Sequence, residues 1–330
     1  MAQPMRAISI KKPGDPDVLE LVLRPRPEPS RGEVRVRIRA TAINRADLLQ
    51  RMGAYPAPPD VPADIPGLEL AGEVEALGEG VTRLALGDRV FGLVGGGAYA
   101  EAMVSHERAL AKMPAGMTFE EAAAIPEAFV TAHDALVTQG ALRSGEAVLV
   151  HAVGSGVGTA AAQIGRALGA YVIGTARTQD KLDRAAALGV DHGLLATDAK
   201  FADAVLAVTS AAGAALILEL VGGAYVAEDL RAVATRGRII LVGLLAGAQQ
   251  DLSLALILRK RVALIGTMLR ARPLEEKIAA MRAFEAQIVP LFARGKLAAV
   301  IDRTYPLAQA ADAHRYMASN AGFGKIVLTC

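Results

Sequence analysis

The stretch Ala147-Val148-Leu149-Val150-His151-Ala152-Val153-Gly154-Ser155-Gly156-Val157-Gly158 decides the fold. Its first five residues form an apolar run of strand length. A glycine-punctuated turn follows directly and opens into a helical segment over Val157–Leu168. Small residues let the backbone reverse sharply and let a pyrophosphate approach the amides of a helix N-terminus. A glycine turn alone is a weak signal; one set between a buried strand and a helix is far stronger. The uncharged stretch Ala147–Gly165 is nearly long enough to cross a bilayer. Its four glycines, His151, Ser155, Thr159 and Gln163 fit strand–turn–helix better, so no membrane span is expected.

Outward from this stretch the same unit repeats. Strands are expected at Tyr171–Thr175, Gly193–Leu195, Leu216–Val221, Arg238–Val242 and Val262–Gly266. Helices are expected at Gln179–Leu188, around Phe201–Ser210 and at Tyr225–Ala234. Continuous apolar strands mark a parallel sheet covered on both faces, a Rossmann-type doubly wound α/β domain. Proline sets its limits: 13 of the 16 prolines lie at or before Pro126, and none lies between Glu127 and Arg272. Proline interrupts helices and central strands, so the flanks suit turns and edge strands. In the flank, Val34, Val36, Ile38 and Ala40 alternate with Arg35, Arg37 and Arg39, a half-buried strand with a basic outer face. Further short strands are expected over Gly72–Leu77 and Asp88–Gly92.

Composition limits the function. In 330 residues, 36 Lys and Arg against 34 Asp and Glu leave a net charge of +2. Neither a general nucleic-acid binder nor a polybasic membrane protein fits such a balance. With no Trp and 4% aromatics, a base-stacking platform is also disfavoured. The lone Cys330 excludes a disulfide framework and any multi-Cys zinc site, and is expected to be a mobile terminal thiol. Met1–Arg6 lacks an apolar signal region, which makes the expected compartment cytoplasmic.

The glycine turn calls for a dinucleotide, and the second strand chooses which. NAD sites carry an acid where that strand ends. Here it ends Gly174-Thr175-Ala176-Arg177, with Lys181 one helical turn on. Two cations suit a 2′-phosphate, so NADPH is the expected cofactor. Gly154, Ser155, Gly156, Val157, Gly174, Arg177 and Lys181 are its expected contacts.

The chain resembles the zinc-free quinone oxidoreductase branch of the medium-chain dehydrogenase/reductase superfamily, the zeta-crystallin-like NADPH:quinone reductases. Asn44-Arg45-Ala46-Asp47, Pro66-Gly67-Leu68-Glu69, Gly87-Asp88-Arg89-Val90, Ala124-Ile125-Pro126-Glu127, His151 to Gly158 and Gly324-Lys325-Ile326-Val327 carry the resemblance along the whole chain. It implies a mainly β, GroES-like catalytic domain from 1–125 and 268–330, around a cofactor domain at 126–267. It implies a homodimer joined through Val262–Gly266. Zinc-dependent relatives carry Cys where Asn44 stands and His where Leu68 stands, and a four-Cys lobe absent here. The five histidines show no ligand spacing, so no metal is expected.

Without a metal the acceptor must be easily reduced. A simple ketone yields an alkoxide comparable to hydroxide, whose parent water has pKa about 15.7. A quinone yields a phenolate-like anion near the tyrosine value of about 10. That gap of about 6 units is on the order of 8 kcal/mol, which favours quinones and conjugated carbonyls. By the resemblance, Tyr55 lies in a loop over the cleft as a hydroxyl donor, and Asn44 bonds the nicotinamide ribose or the acceptor. Thr131 lies near the nicotinamide; Gly222, Gly243, Leu244, Met268 and Leu269 offer strand-end backbone; Asn320 is a weaker match. Ser155 bonds phosphate or shapes the turn. Asp47 either serves the site or caps a helix, and His151 is expected to be a satisfied buried histidine. Two other readings stay open: an NADPH-dependent enone or enoyl reductase, and a non-catalytic NADPH-responsive binding protein, RNA binding included.

Overall fold

The structure is a computed structural model, and it describes residues 4–330. The chain forms two compact units, one comprising Thr131–Met268 and the other Leu269–Cys330 together with the described residues up to Val130.

In the Thr131–Met268 unit a six-stranded parallel sheet runs in the order His192–Leu195, Tyr171–Ala176, Ala147–Val150, Ala214–Glu219, Val233–Leu241, Ala263–Gly266. Strand alternation sorts its core onto two faces. Leu149, Ile173, Ile217 and Ile239 pack with Phe201, Val205 and Leu230 from the helices Ala202–Val208 and Ala224–Ala232. Val148 and Val172 point the other way, towards Gly165 of the helix Gly156–Ala167. The expected strands and helices are present, with ends shifted by a few residues. The largest shift is at Val233–Leu241, where strand pairing begins five residues before the expected Arg238. Ala214 pairs with Val233, and this sheet partner ends the helix at Ala232 and overrides the local helical preference of Ala234.

The other unit holds a seven-stranded sheet. Its main path is Ile301–Pro306, Lys325–Thr329, Glu33–Ile43, Glu69–Leu77, Arg89–Leu93, Leu110–Lys112, and Ala102–His106 pairs with Glu33–Ile43. Pro4–Ile10 and Leu19–Pro25 form a separate antiparallel ribbon. Val34, Val36 and Ile38 are buried with Leu70, Val74 and Val90. On the opposite face Arg35 and Arg37 pair with Glu75, and Arg39 pairs with Glu73. The basic face seen in the sequence is therefore balanced by the neighbouring strand.

Cys330 departs from expectation. Its amide donates to the Arg39 carbonyl at 3.0 Å, its thiol lies 3.4 Å from the Ala100 carbonyl, and it packs against two apolar clusters. It is an anchored residue, and burial pushes its thiol up to about 12. No helix among the described residues is long and apolar enough to cross a membrane.

Candidate functional site

In the parallel-sheet unit the strand Ala147–Val150 ends beneath the glycine turn. Ala152 takes a left-handed φ of 46°, which a non-glycine residue adopts at some cost. Ser155 is the N-cap of the helix Gly156–Ala167, and its Oγ accepts the Gly158 amide at 3.0 Å. The Gly156 and Val157 amides at that N-terminus bond to no described residue. They are orphan donors of the kind that suits an anion at a helix start. A Cβ at Gly158 would stand 2.4 Å from the Ala152 carbonyl oxygen, so only glycine lets the helix begin so close to the turn. The Val153 amide bonds the Thr175 carbonyl at 2.9 Å, and Gly174 packs on the Val153 side chain, tying the turn to the second strand. Arg177 is exposed just beyond that strand, and Lys181 follows in the helix Gln179–Ala186. Thr131 is buried in a short helix.

The loop after Ala214–Glu219 is held by one buried carboxyl. Glu219 Oε1 accepts the amides of Val221 and, at 2.8 Å, Gly222. Gly222, at φ 77°, approaches Leu244, which joins the 222 and 243–244 segments. Glu219 Oε2 is 3.7 Å from His151 Nε2, which lies 2.8 Å from Asp229 Oδ1; His151 Nδ1 lies 2.9 Å from Thr175 Oγ1. His151, Glu219 and Asp229 are fully buried, and their ligand-type atoms lie within 4.8 Å of one another. Sequence spacing gave no hint of this group. Burial holds His151 down at about 4, so the ring is neutral at pH 7. It lifts the Asp229 and Glu219 carboxyls to about 7 and about 8. Glu219 Oε2 and Asp229 Oδ2 have no hydrogen-bond partner as carboxylates, and the two groups bond to each other once a proton is shared.

In the other unit four of the landmark motifs meet, those at 44–47, 66–69, 124–127 and 324–327. Lys325 Nζ reaches Glu69 Oε1 at 2.7 Å and Asn44 Oδ1 at 2.5 Å, while Asn44 Nδ2 donates to Glu69 Oε1 at 2.8 Å. Glu69 Oε2 accepts the Glu127 amide at 2.8 Å. Asp47 is both the capping-box acid of the helix Arg45–Arg51 and a buried acceptor for the Gly67 amide and the Tyr99 hydroxyl. Burial raises its carboxyl to about 6. Arg270 lies over the Tyr55 ring at 4.9 Å and bonds Gly95 and Gln50. Burial raises the Tyr55 hydroxyl above its ordinary value, so it remains a donor at neutral pH. Leu68 is buried. Asn320, at φ 58°, accepts from Arg45 at 2.7 Å. Leu269 is buried and Met268 exposed. Glu69, Glu127 and Lys325 lie inside the landmark motifs, but no local pattern assigns them roles, and no local signal marks Arg270.

Residues 156–286 match the family model of zinc-binding dehydrogenases, and residues 30–115 that of the alcohol dehydrogenase GroES-like domain. A quinone oxidoreductase of Pseudomonas aeruginosa is 35% identical over 96% of this chain and 96% of its own. The chain belongs to the medium-chain dehydrogenase/reductase superfamily. Its parallel sheet is the Rossmann-like part and its seven-stranded sheet the GroES-like part of that fold. A polyketide synthase component, PikAII of Streptomyces venezuelae, is 37% identical over 96% of this chain, yet the chain spans only 8% of that protein. The other polyketide synthases among the first relatives are likewise covered over 15% of their length or less. Among solved structures, the Pseudomonas syringae quinone oxidoreductase has a TM-score of 0.88 at 31% identity, covering 99% of this chain and 100% of that one. A mycobacterial protein complexed with NADPH reaches 0.87 at 30%, covering 99% and 100%. The CurK enoyl reductase reaches 0.86 at 26%, covering 99% of each.

Proposed function

We propose that this oxidoreductase uses NADPH to reduce quinones without a zinc ion. The observation that carries the reading is the state of the two positions that are Cys and His in zinc-dependent kin. Asn44 is committed to Lys325 and Glu69, and Leu68 is sealed in apolar core. Hydrogen bonding from such a site suffices for a phenolate-like anion.

The residues present fit the cofactor. The Gly156 and Val157 amides lie at the N-terminus of a 12-residue helix and suit a pyrophosphate. Gly154 adds no side chain to the turn, and Gly174 lets the Val153 side chain seat the turn on the second strand. Arg177 and Lys181 suit a 2′-phosphate that an acid in their place would repel. Gly222, Gly243, Leu244 and Met268 supply backbone, while Thr131, Asn44, Leu269 and Asn320 complete the set proposed for nicotinamide and ribose. When bound, NADPH supplies the hydride. The chain orients the acceptor, with the Tyr55 hydroxyl donating to its oxygen, and excludes water. Ser155 acts through its cap, holding the turn in shape.

A homodimer is part of the proposal. The edge strand Ala263–Gly266 is unpaired on its outer side among the described residues, Leu264 on it is exposed, and Leu254 and Leu258 are exposed on the helix Leu254–Lys260 before it, an edge suited to a symmetry mate.

Stopped-flow oxidation of NADPH tests the function against 1,4- and 1,2-quinones and crotonyl-type thioesters. Quinone turnover is expected. Turnover of the thioesters alone would shift the assignment to the second reading, an enoyl reductase, which the CurK likeness favours. Tight NADPH binding with no acceptor turned over would reject both.

A further inference from the structure

We infer that Glu127 is the proton donor to the reduced acceptor, an inference that rests on the reductase reading above. Glu127 lies in the π-helical turn Pro126–Val130, a distortion of helical geometry that recurs at functional sites. Its backbone is fixed by the Glu69 bond, but among the described residues its carboxyl has no hydrogen-bond partner. It is half-buried, so it retains a path to a ligand or to water.

The ionisable groups around it come from two strands, a helix, a turn and a loop. Glu69 lies on the strand Glu69–Leu77, Asp47 on the helix Arg45–Arg51, Lys325 on the strand Lys325–Thr329, and Arg270 beyond them, with the Tyr55 phenol also in its field. The two cations are engaged: Lys325 with Glu69 and Asn44, Arg270 with Gly95 and Gln50. Desolvation first, and the Glu69 carboxylate second, hold the Glu127 carboxyl at about 8. At neutral pH it is therefore a carboxylic acid with a proton to give. A hydroquinone oxyanion near the phenol value of about 10 takes that proton downhill.

The step balances. Hydride transfer oxidises NADPH to NADP+, adds two electrons and one hydrogen to the quinone, and leaves one quinone oxygen as an oxyanion. The Glu127 O–H bond breaks as a new O–H bond forms on that oxygen. The resulting carboxylate regains a proton from water.

The test compares the wild type with Glu127→Gln and Glu127→Asp in the full-length protein, using one quinone and one enone. Gln keeps the size and the backbone bond to Glu69 but cannot donate. The wild type is expected to lose kcat above pH about 8 with a one-proton slope, the acid being competent only below that value. E127Q is expected to lose about 100-fold in kcat and the pH-dependent limb with it. E127D should recover part of both, with NADPH affinity unchanged in each variant. In infrared pH titration the wild-type-minus-E127Q difference should isolate one protonated carboxyl that disappears near pH 8, over the Asp229 and Glu219 bands that both proteins share.

Quinone turnover by E127Q within about threefold of wild type, with the same pH limb, overturns the donor role and leaves the quinone reading standing. Enone-only activity that is lost in E127Q upholds the donor and overturns the quinone. A wild type inactive with both acceptors overturns both.

Discussion

Replacing Asp229 with Asn should make the protein more stable at alkaline pH, although it alters a fully buried hydrogen-bond partner of a neutral histidine. Asp229 Oδ1 accepts from His151 Nε2 at 2.8 Å, and its Oδ2 has no partner unless a proton is shared with Glu219. Burial raises the Asp229 carboxyl from 3.8 to about 7. The folded chain therefore keeps a proton that the unfolded chain has already released. Stability from this source is whole below pH about 4 and is lost as pH rises through about 7. A shift of about 3 units at 1.36 kcal/mol each is on the order of 4 kcal/mol, and coupling to Glu219 makes about 2–4 kcal/mol the working range. Asn keeps the oxygen that accepts from His151 and places an amide N–H against Glu219 Oε2. It supplies by structure the bond the proton made, and it does not titrate. Denaturant unfolding followed by circular dichroism should show D229N near wild type at pH 5 and about 2–4 kcal/mol more stable at pH 8.5. A variant less stable than wild type at pH 8.5, or one whose stability falls with pH in parallel with it, would refute the reasoning.

Lys325→Met strands the Glu69 carboxylate, whose side chain is 0% exposed, and should cost about 3–5 kcal/mol. Adding Glu69→Gln should restore part of that loss, with melting temperatures of the single and double variants as the check. Arg177→Ala with Lys181→Ala should weaken NADPH at least tenfold and leave NADH within about threefold, measured by fluorescence titration. Leu258→Asp, at a residue 77% exposed, should leave the monomer folded and disrupt the proposed dimer, as read by light scattering during gel filtration.

Local patterns made the skeleton legible. The strand–turn–helix at Ala147–Leu168 announces itself because turn chemistry and burial act between near neighbours. The alternation from Val34 to Ala40 likewise names a half-covered strand. What lies opposite Arg35, Arg37 and Arg39 was invisible, because Glu73 and Glu75 face them only through strand pairing. The same limit hid the His151, Glu219 and Asp229 group, whose members arrive from two strand ends and a helix. A neutral histidine between raised carboxyls is a product of desolvation, which a linear sequence does not display. Glu127 lies within a motif, yet only its surroundings give its carboxyl a reason to hold a proton. Cys330 misled for the opposite cause: a terminal position suggests freedom, whereas the Arg39 and Ala100 carbonyls hold it.

The pairing of Lys325–Thr329 with Glu33–Ile43 sets a timetable for synthesis on the ribosome. The Thr131–Met268 unit is a continuous segment and can close its sheet while later codons are still being read. Asn44 and Glu69 must wait until residue 325 has left the exit tunnel before their ammonium partner arrives. Until then the Glu69 carboxylate lacks the ammonium that its burial in the folded chain calls for.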